Sequence, residues 1–216
     1  MSQPVPRRVA RALRAGGPEV IAVEAEDLPA LAPGEALVRV EAAGLNHAET
    51  LIRSGNYPVQ LPFPYPLGGE GAGVVIASGA GSPIAVGTRV CWAAVLGSCA
   101  THVTAPASML VPLPGGLSFE DGACLPVAAL TAGGLARVWP LEGRSAVVWG
   151  AAGAVGRMLT AMLADRQAEV IGIASGSRAA AARAAGAAHV IDRAAEDVPA
   201  AGRHYTGGRG VAAVFD

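Results

Sequence analysis

An apolar run that breaks into spaced glycines, Ser145-Ala-Val-Val-Trp-Gly150-Ala-Ala-Gly153-Ala-Val-Gly156, limits what this chain can fold into more than any other stretch. No polar residue alternates with Val147, Val148 and Trp149, which predicts a strand buried on both faces. Gly150, Gly153 and Gly156 predict a tight turn. Beyond it Val155, Leu159, Met162 and Leu163 recur at helical intervals. A strand that passes through such a turn into a helix N-terminus offers free amides and a partial positive charge, the makings of a diphosphate site. Glycines there let the backbone approach without a Cβ in the way. The same turn also serves plain strand-helix packing, so on its own it is a weak functional signal.

The 216 residues can hold one large or two small domains, and 52% hydrophobic with 15% charged residues describes a compact globular chain. A net charge of −1 gives no broad attraction to nucleic acid or an anionic membrane surface. All 16 basic residues are arginine, which removes lysine Schiff-base chemistry. No apolar run is long enough to span a membrane, and the arginine-bearing stretch Met1 to Gly17 lacks the apolar centre of a secretory signal. Cys91, Cys99 and Cys124 have neither disulfide nor zinc-ribbon spacing, so a reducing, cytoplasmic location is expected.

Residues 1–117 read as a first domain of short strands and turns, a small and partly closed β-barrel. Strands are expected at Val9–Leu13, Val20–Val23, Ala36–Val40, Gly73–Ala77, Arg89–Ala94 and His102–Thr104, with Asn46 capping a short helix over His47–Arg53. Near Leu117 the period changes. Ser118-Phe-Glu-Asp121 is a capping-box sequence, and Pro126 splits the apolar run that follows, through Val138, into two helical pieces. Residues 118–216 then alternate strand and helix, with strands at Val147–Trp149, Val170–Ala174, His189–Ile191 and Val211–Phe215. That alternation predicts an α/β domain with a parallel sheet.

With both halves placed, the chain resembles the zinc-independent quinone oxidoreductase branch of the medium-chain dehydrogenase/reductase superfamily. The resemblance is carried by Gly16-Gly-Pro-Glu-Val20, Gly44-Leu-Asn46, Ile52-Arg-Ser-Gly-Asn-Tyr-Pro58, Gly71-Ala-Gly-Val-Val75, Leu130-Thr131 and Ala151-Ala-Gly-Ala-Val-Gly156. It implies a GroES-like first domain, a Rossmann second domain, NADPH as reductant and an active site in the cleft between the two. Zinc-dependent relatives carry cysteine where Asn46 stands, histidine where Gly69 stands and a third ligand at about Ala128. None of these three replacements can hold zinc, so no metal is expected.

The tip of the second Rossmann strand, Ala174-Ser-Gly-Ser-Arg178, has no carboxylate for the ribose hydroxyls of NAD. Ser175, Ser177 and Arg178 can instead hold a 2′-phosphate, and Arg193 stands where the family has a tyrosine. NADPH is the expected cofactor, with its diphosphate on Ala152, Gly153, Ala154, Val155 and Gly156. Ala154 replaces a glycine usual in the family. By resemblance Asn46 and Thr131 face the nicotinamide end, while Asn46 and Tyr57 serve the reaction, Tyr57 bordering the acceptor. Each has a plain alternative: a helix cap, a helix-interior hydroxyl and a turn residue, respectively. Glu70 is assigned no catalytic role. The implied chemistry is hydride transfer to a quinone or an electron-poor enone, whose conjugation already spreads the incoming charge.

Relatives continue past the Val214-Phe-Asp216 position with two more strands, which predicts that these residues are a portion of a longer enzyme. A partner completing the sheet, or an impaired binder, are the alternatives. A non-catalytic NADPH-binding module and a GroES-like interaction protein also stay open, as do the acceptor (quinone, enone or enoyl thioester) and the oligomeric state, with a homodimer the family's arrangement.

Overall fold

The computed structural model describes residues 5–216. Strands β1 (Val5–Ala12) and β2 (Ile21–Leu28) pair as an antiparallel hairpin in register from Val5 with Leu28 to Ala12 with Ile21. Then come β3 (Glu35–Gly44), helix α1 (His47–Ser54), β4 (Tyr65–Pro66), β5 (Glu70–Ser78), β6 (Arg89–Ala93), β7 (His102–Pro106) and β8 (Leu110–Pro112). Five of these form an antiparallel sheet of order β7-β3-β5-β6-β8, and a smaller sheet has the order β2-β1-β4. Residues 99–101 join the two sheets. Ala10 N–H donates to Cys99 C=O and Thr101 N–H to Arg8 C=O, both at 2.9 Å, while Val40 N–H donates to Thr101 C=O at 3.0 Å. The result is the partly closed β-architecture expected. Its core holds Val38, Val75, Val90, Trp92 and Val103. The one polar atom of Trp92 is satisfied, its indole N–H donating to Ser98 Oγ at 2.8 Å and the serine in turn donating to Val95 C=O at 2.9 Å.

Helix α2 (Phe119–Cys124) starts on the expected capping box: Ser118 Oγ accepts from Asp121 N–H at 3.0 Å, and the Asp121 carboxylate accepts from Ser118. It packs close on the five-stranded sheet through small residues. A Cβ on Gly122 would lie 2.7 Å from Leu113 Cδ1, and one on Gly44 would collide with the Ala123 carbonyl. Helix α3 (Pro126–Leu135) follows immediately. It stops short of Val138, because past Gly133-Gly134 the amides of Arg137 and Val138 turn back three residues, to Gly134 C=O and Leu135 C=O. The chain separates into two compact units between Val127 and Ala128, past the change of period at Leu117, since α2 belongs to the sheet it covers.

The second unit continues with β9 (Ser145–Val148), α4 (Ala154–Asp165), β10 (Glu169–Ile173), α5 (Ala179–Ala184), β11 (His189–Ile191), α6 (Val198–Tyr205) and β12 (Ala213–Phe215). Its four strands are parallel in the order β11-β10-β9-β12, so β9 meets β12 where the winding reverses. Both faces are covered. Ala146, Val148, Val170 and Phe215 pack with Leu159 and Leu163 of α4, while Val147, Ile171, Ile173 and Ile191 pack with Val198, Ala201 and Tyr205 of α6. This explains why β9 reads as an unbroken apolar run rather than an alternating one.

Two glycines set the spacing of helices and sheet. A Cβ on Gly156, in the first turn of α4, would fall 2.8 Å from Gly150 C and 2.9 Å from Ala151 Cα. One on Gly172, in β10, would fall 2.9 Å from Ala151 Cβ, 3.3 Å from Ala187 Cβ and 3.5 Å from Ala182 Cβ. Among the described residues β12 is an edge strand, with Val214 58% exposed, and no helix is long and apolar enough to cross a membrane.

Candidate functional site

In an open parallel sheet, ligands lodge beyond the carboxyl ends of the strands near the point where the winding reverses. A cleft of about 550 Å³ lies there, lined by Trp149, Gly150, Ala152 and Gly153 from the turn after β9, by Ile173, Ala174, Ser175 and Arg178 after β10, by Arg193 after β11, and by Asp216 after β12. Five of the expected cofactor residues therefore share one cavity: Ala152, Gly153, Ser175, Arg178 and Arg193.

The glycine turn is built as a cradle. Gly150 adopts φ +59°, a conformation that costs an L side chain, and the space beside it is open. Gly153 is the N-cap of α4 and has no side chain to offer a cap bond. The first helical bond runs from Arg157 N–H to Gly153 C=O at 2.9 Å, so the amides of Ala154, Val155 and Gly156 precede the ladder. These three residues do not line the cleft. Gly156 is buried against Gly150, and its role in the structure is close packing.

The second strand tip, residues 174–178, carries no acid of its own, but one reaches it from the neighbouring strand. Asp192, one residue past β11, reaches across, its Oδ2 accepting from Gly176 N–H at 3.0 Å and its Oδ1 from Ala194 N–H at 2.9 Å. Those backbone hydrogen bonds, with a further one from the Ser175 side chain, hold the Asp192 carboxyl below the usual carboxylate range. Part of the donor capacity expected of Ser175 for phosphate is thus shared with Asp192. Ser177 is exposed and does not line the cleft.

In the first unit Asn46 occupies the N-cap position of α1, with φ −111° and ψ 150°, yet its side chain makes no cap bond. Its amide instead donates from Nδ2 to Glu70 Oε1 at 2.7 Å. Glu70 is buried at 2% exposure, and its second oxygen accepts from Val127 N–H, at the start of α3, at 2.9 Å. Glu49 stands close by. It accepts from Gly69 N–H at 2.9 Å, and burial raises its carboxyl above the usual range, with the Glu70 charge adding to the rise. Tyr57 is half-buried just past α1, where Gln60 Nε2 donates to its carbonyl at 2.7 Å. Thr131 is exposed on α3 in the second unit. Glu70 is thus a residue whose role sequence reasoning missed. Glu70→Ala leaves the Val127 amide without its buried acceptor and is expected to cost about 1–3 kcal/mol in denaturant unfolding; Glu70→Gln, which keeps one acceptor, should cost less.

Among the described residues no group of three or more His, Cys, Asp or Glu side chains is placed to hold a metal ion. Burial raises the thiols of Cys91 and Cys99, which disfavours the thiolate form.

The alcohol dehydrogenase GroES-like domain family matches residues 32–138. Quinone oxidoreductase of Pseudomonas aeruginosa is 37% identical over 209 residues, covering 93% of this chain and 63% of that enzyme. The solved Escherichia coli quinone oxidoreductase complexed with NADPH superposes with a TM-score of 0.85 at 32% identity, over 97% of this chain and 65% of that one. The chain belongs to the quinone oxidoreductase branch of the medium-chain dehydrogenase/reductase superfamily. It joins a GroES-like β-domain to a parallel β/α unit. It is also 37% identical over 193 residues to the pikromycin polyketide synthase component PikAII of Streptomyces venezuelae, covering 86% of this chain and 5% of that protein. The chain spans under two thirds of the length of the quinone oxidoreductase of Pseudomonas aeruginosa.

Proposed function

We propose that this chain binds NADPH and forms part of a reductase that passes hydride, without a metal, to a quinone or an electron-poor enone. The observation that carries this reading is the cleft itself, with the glycine turn Gly150 to Gly153 on one side and two guanidinium groups, Arg178 and Arg193, on the other. The residues present fit the cofactor. Gly153 leaves the α4 N-terminus uncapped by any side chain, as a diphosphate requires, and the arginines suit a 2′-phosphate.

When bound, NADPH would supply a hydride, two electrons with one proton, and solvent would supply the second proton that completes reduction of the acceptor. The chain's part is to bind and orient. Gly150 to Gly153 bring the backbone to the diphosphate, and Arg178 and Arg193 neutralise the phosphate at the adenosine end. By resemblance alone, Asn46, whose amide is held by Glu70, and Thr131 would serve the nicotinamide end, and Tyr57 would hydrogen-bond the acceptor oxygen. Metal independence is supported by Asn46, Gly69 and Ala128, none of which brings the thiolate, imidazole or carboxylate that zinc takes. Quinone, enone and enoyl thioester acceptors all accept hydride in this way. A homodimer in a reducing, cytoplasmic compartment is part of the same reading.

Titrating the chain with NADPH and with NADH, followed by cofactor fluorescence, tests the binding half, and NADPH is expected to bind more tightly. Assaying cofactor oxidation with a quinone, an enone and an enoyl thioester, with and without a chelator, tests the rest. Turnover should ignore the chelator. Tyr57→Phe should slow it by about tenfold, the loss of one hydrogen bond in the transition state. Equal affinity for both cofactors, or activity abolished by the chelator, contradicts the proposal.

A further inference from the structure

The two arginines that wall the cleft stand on different turns, Arg178 after β10 and Arg193 after β11. The β10/β11 ladder ends with Ala174 N–H donating to Ile191 C=O at 3.1 Å, before either arginine. Past that point the first turn is intrinsically soft, because Gly176 sits in open space with φ +58°. Asp192 spans the gap. Its Oδ2 takes the Gly176 amide at 3.0 Å, its Oδ1 the Ala194 amide at 2.9 Å, and the Ser175 side chain also hydrogen-bonds the carboxylate. The second turn is wound around the same residue. Asp192 N–H donates to Glu196 Oε1 at 2.8 Å, while Asp192 C=O accepts from the amides of Ala195 at 3.0 Å and Glu196 at 2.8 Å.

A carboxylate at this place has two opposed effects on a bound phosphate. Its charge repels the anion, and its hydrogen bonds fix the turns that carry the two cations. The geometry favours the second. Both oxygens are aimed at backbone amides, Asp192 does not line the cleft, and its charge is screened by water while Arg178 and Arg193 line the cavity directly. We propose that Asp192 is a positioning residue for 2′-phosphate selectivity, clasping the Ser175–Arg178 and Asp192–Glu196 turns together so that Arg178 and Arg193 meet one phosphate from two sides. The inference rests on the NADPH reading given above.

Dissociation constants for NADPH and NADH, with thermal melting, are to be measured on the wild-type chain, Asp192→Ala, Asp192→Asn and Arg178→Ala. Asp192→Ala should cut the NADPH-over-NADH preference about tenfold and leave NADH affinity within about twofold, the melting temperature showing how far loss of the clasp also loosens the fold. A merely structural loss would weaken both cofactors together. Asp192→Asn, which keeps one acceptor oxygen but no charge, should fall between wild type and alanine. It also decides the matter if the alanine variant does not fold. A preference that rises in either variant means repulsion outweighs the clasp, and one that stays constant means the clasp is irrelevant; either overturns the proposal. A preference abolished by Arg178→Ala but kept in Asp192→Ala sinks the clasp alone. A wild-type chain with no preference, and no response to Arg178→Ala, removes the NADPH reading and this inference with it.

Discussion

Arg178→Ala weakens NADPH binding by about ten- to a hundredfold and leaves NADH within about twofold, the expected loss of one charge-assisted contact to phosphate. The expectation follows from where Arg178 stands. It opens the turn into α5, lines the cleft alongside Ser175, and has no acidic partner among the ion pairs of the described residues to compete for its guanidinium. Arg178→Lys should recover only part of the loss, since an ammonium keeps the charge without the planar fork. The two dissociation constants, measured on the same preparation at one ionic strength, give the answer. An equal loss for both cofactors would remove Arg178 from the 2′-phosphate assignment.

Gly156→Val is expected to destabilise the second unit by about 3 kcal/mol or more. Any Cβ there enters the Gly150 carbonyl and lies 2.8 Å from Gly150 C and 2.9 Å from Ala151 Cα, and these are backbone atoms that no rotamer change can move aside. Relief requires α4 to lift from β9, which uncovers Leu159 and Leu163, each 1% exposed. Gly150→Ala provides the contrast. Space beside Gly150 is open, so its cost is only that of holding alanine at φ +59°, about 1–2 kcal/mol. Denaturant unfolding of the two variants separates steric exclusion at one glycine from backbone strain at the other. Similar losses at both positions would contradict this division of labour.

The β/α unit was legible in the sequence because its signals are local. An apolar run without alternation, a glycine turn and a helical period each occupy a few consecutive residues, and all three fell where β9, the turn and α4 lie. The capping box at Ser118 was legible for the same reason. Strands β4 and β8 were not, since two and three residues beside prolines are too short to show a period. Of the residues that line the cleft, Ala152, Gly153, Ser175 and Arg178 were legible from motif and strand order, whereas Ala154, Val155, Gly156 and Ser177, expected with them, do not line it. What could not be read were pairings across the chain. Asn46 was placed correctly as the residue before a helix, but its side chain answers to Glu70, 24 positions away, rather than to the helix. The Asp192 clasp joins residues 16 positions apart, and the bond from Val127 to Glu70 joins residues 57 apart. Distances of that kind are set by sheet order and have no local signature.

Between α5 and its sheet the methyl groups of Ala151, Ala182 and Ala187 gather around the bare backbone of Gly172. Alanine has no rotamers, so immobilising this layer forfeits no side-chain entropy. The same methyls bring little apolar area, and what holds α5 down is therefore proximity, many dispersion contacts at short range whose strength falls steeply with separation. A seam of this sort tolerates neither a larger side chain nor a small gap. The segment that carries Arg178 thus rests on a mounting that is stiff so long as it stays closed and that weakens abruptly once prised apart.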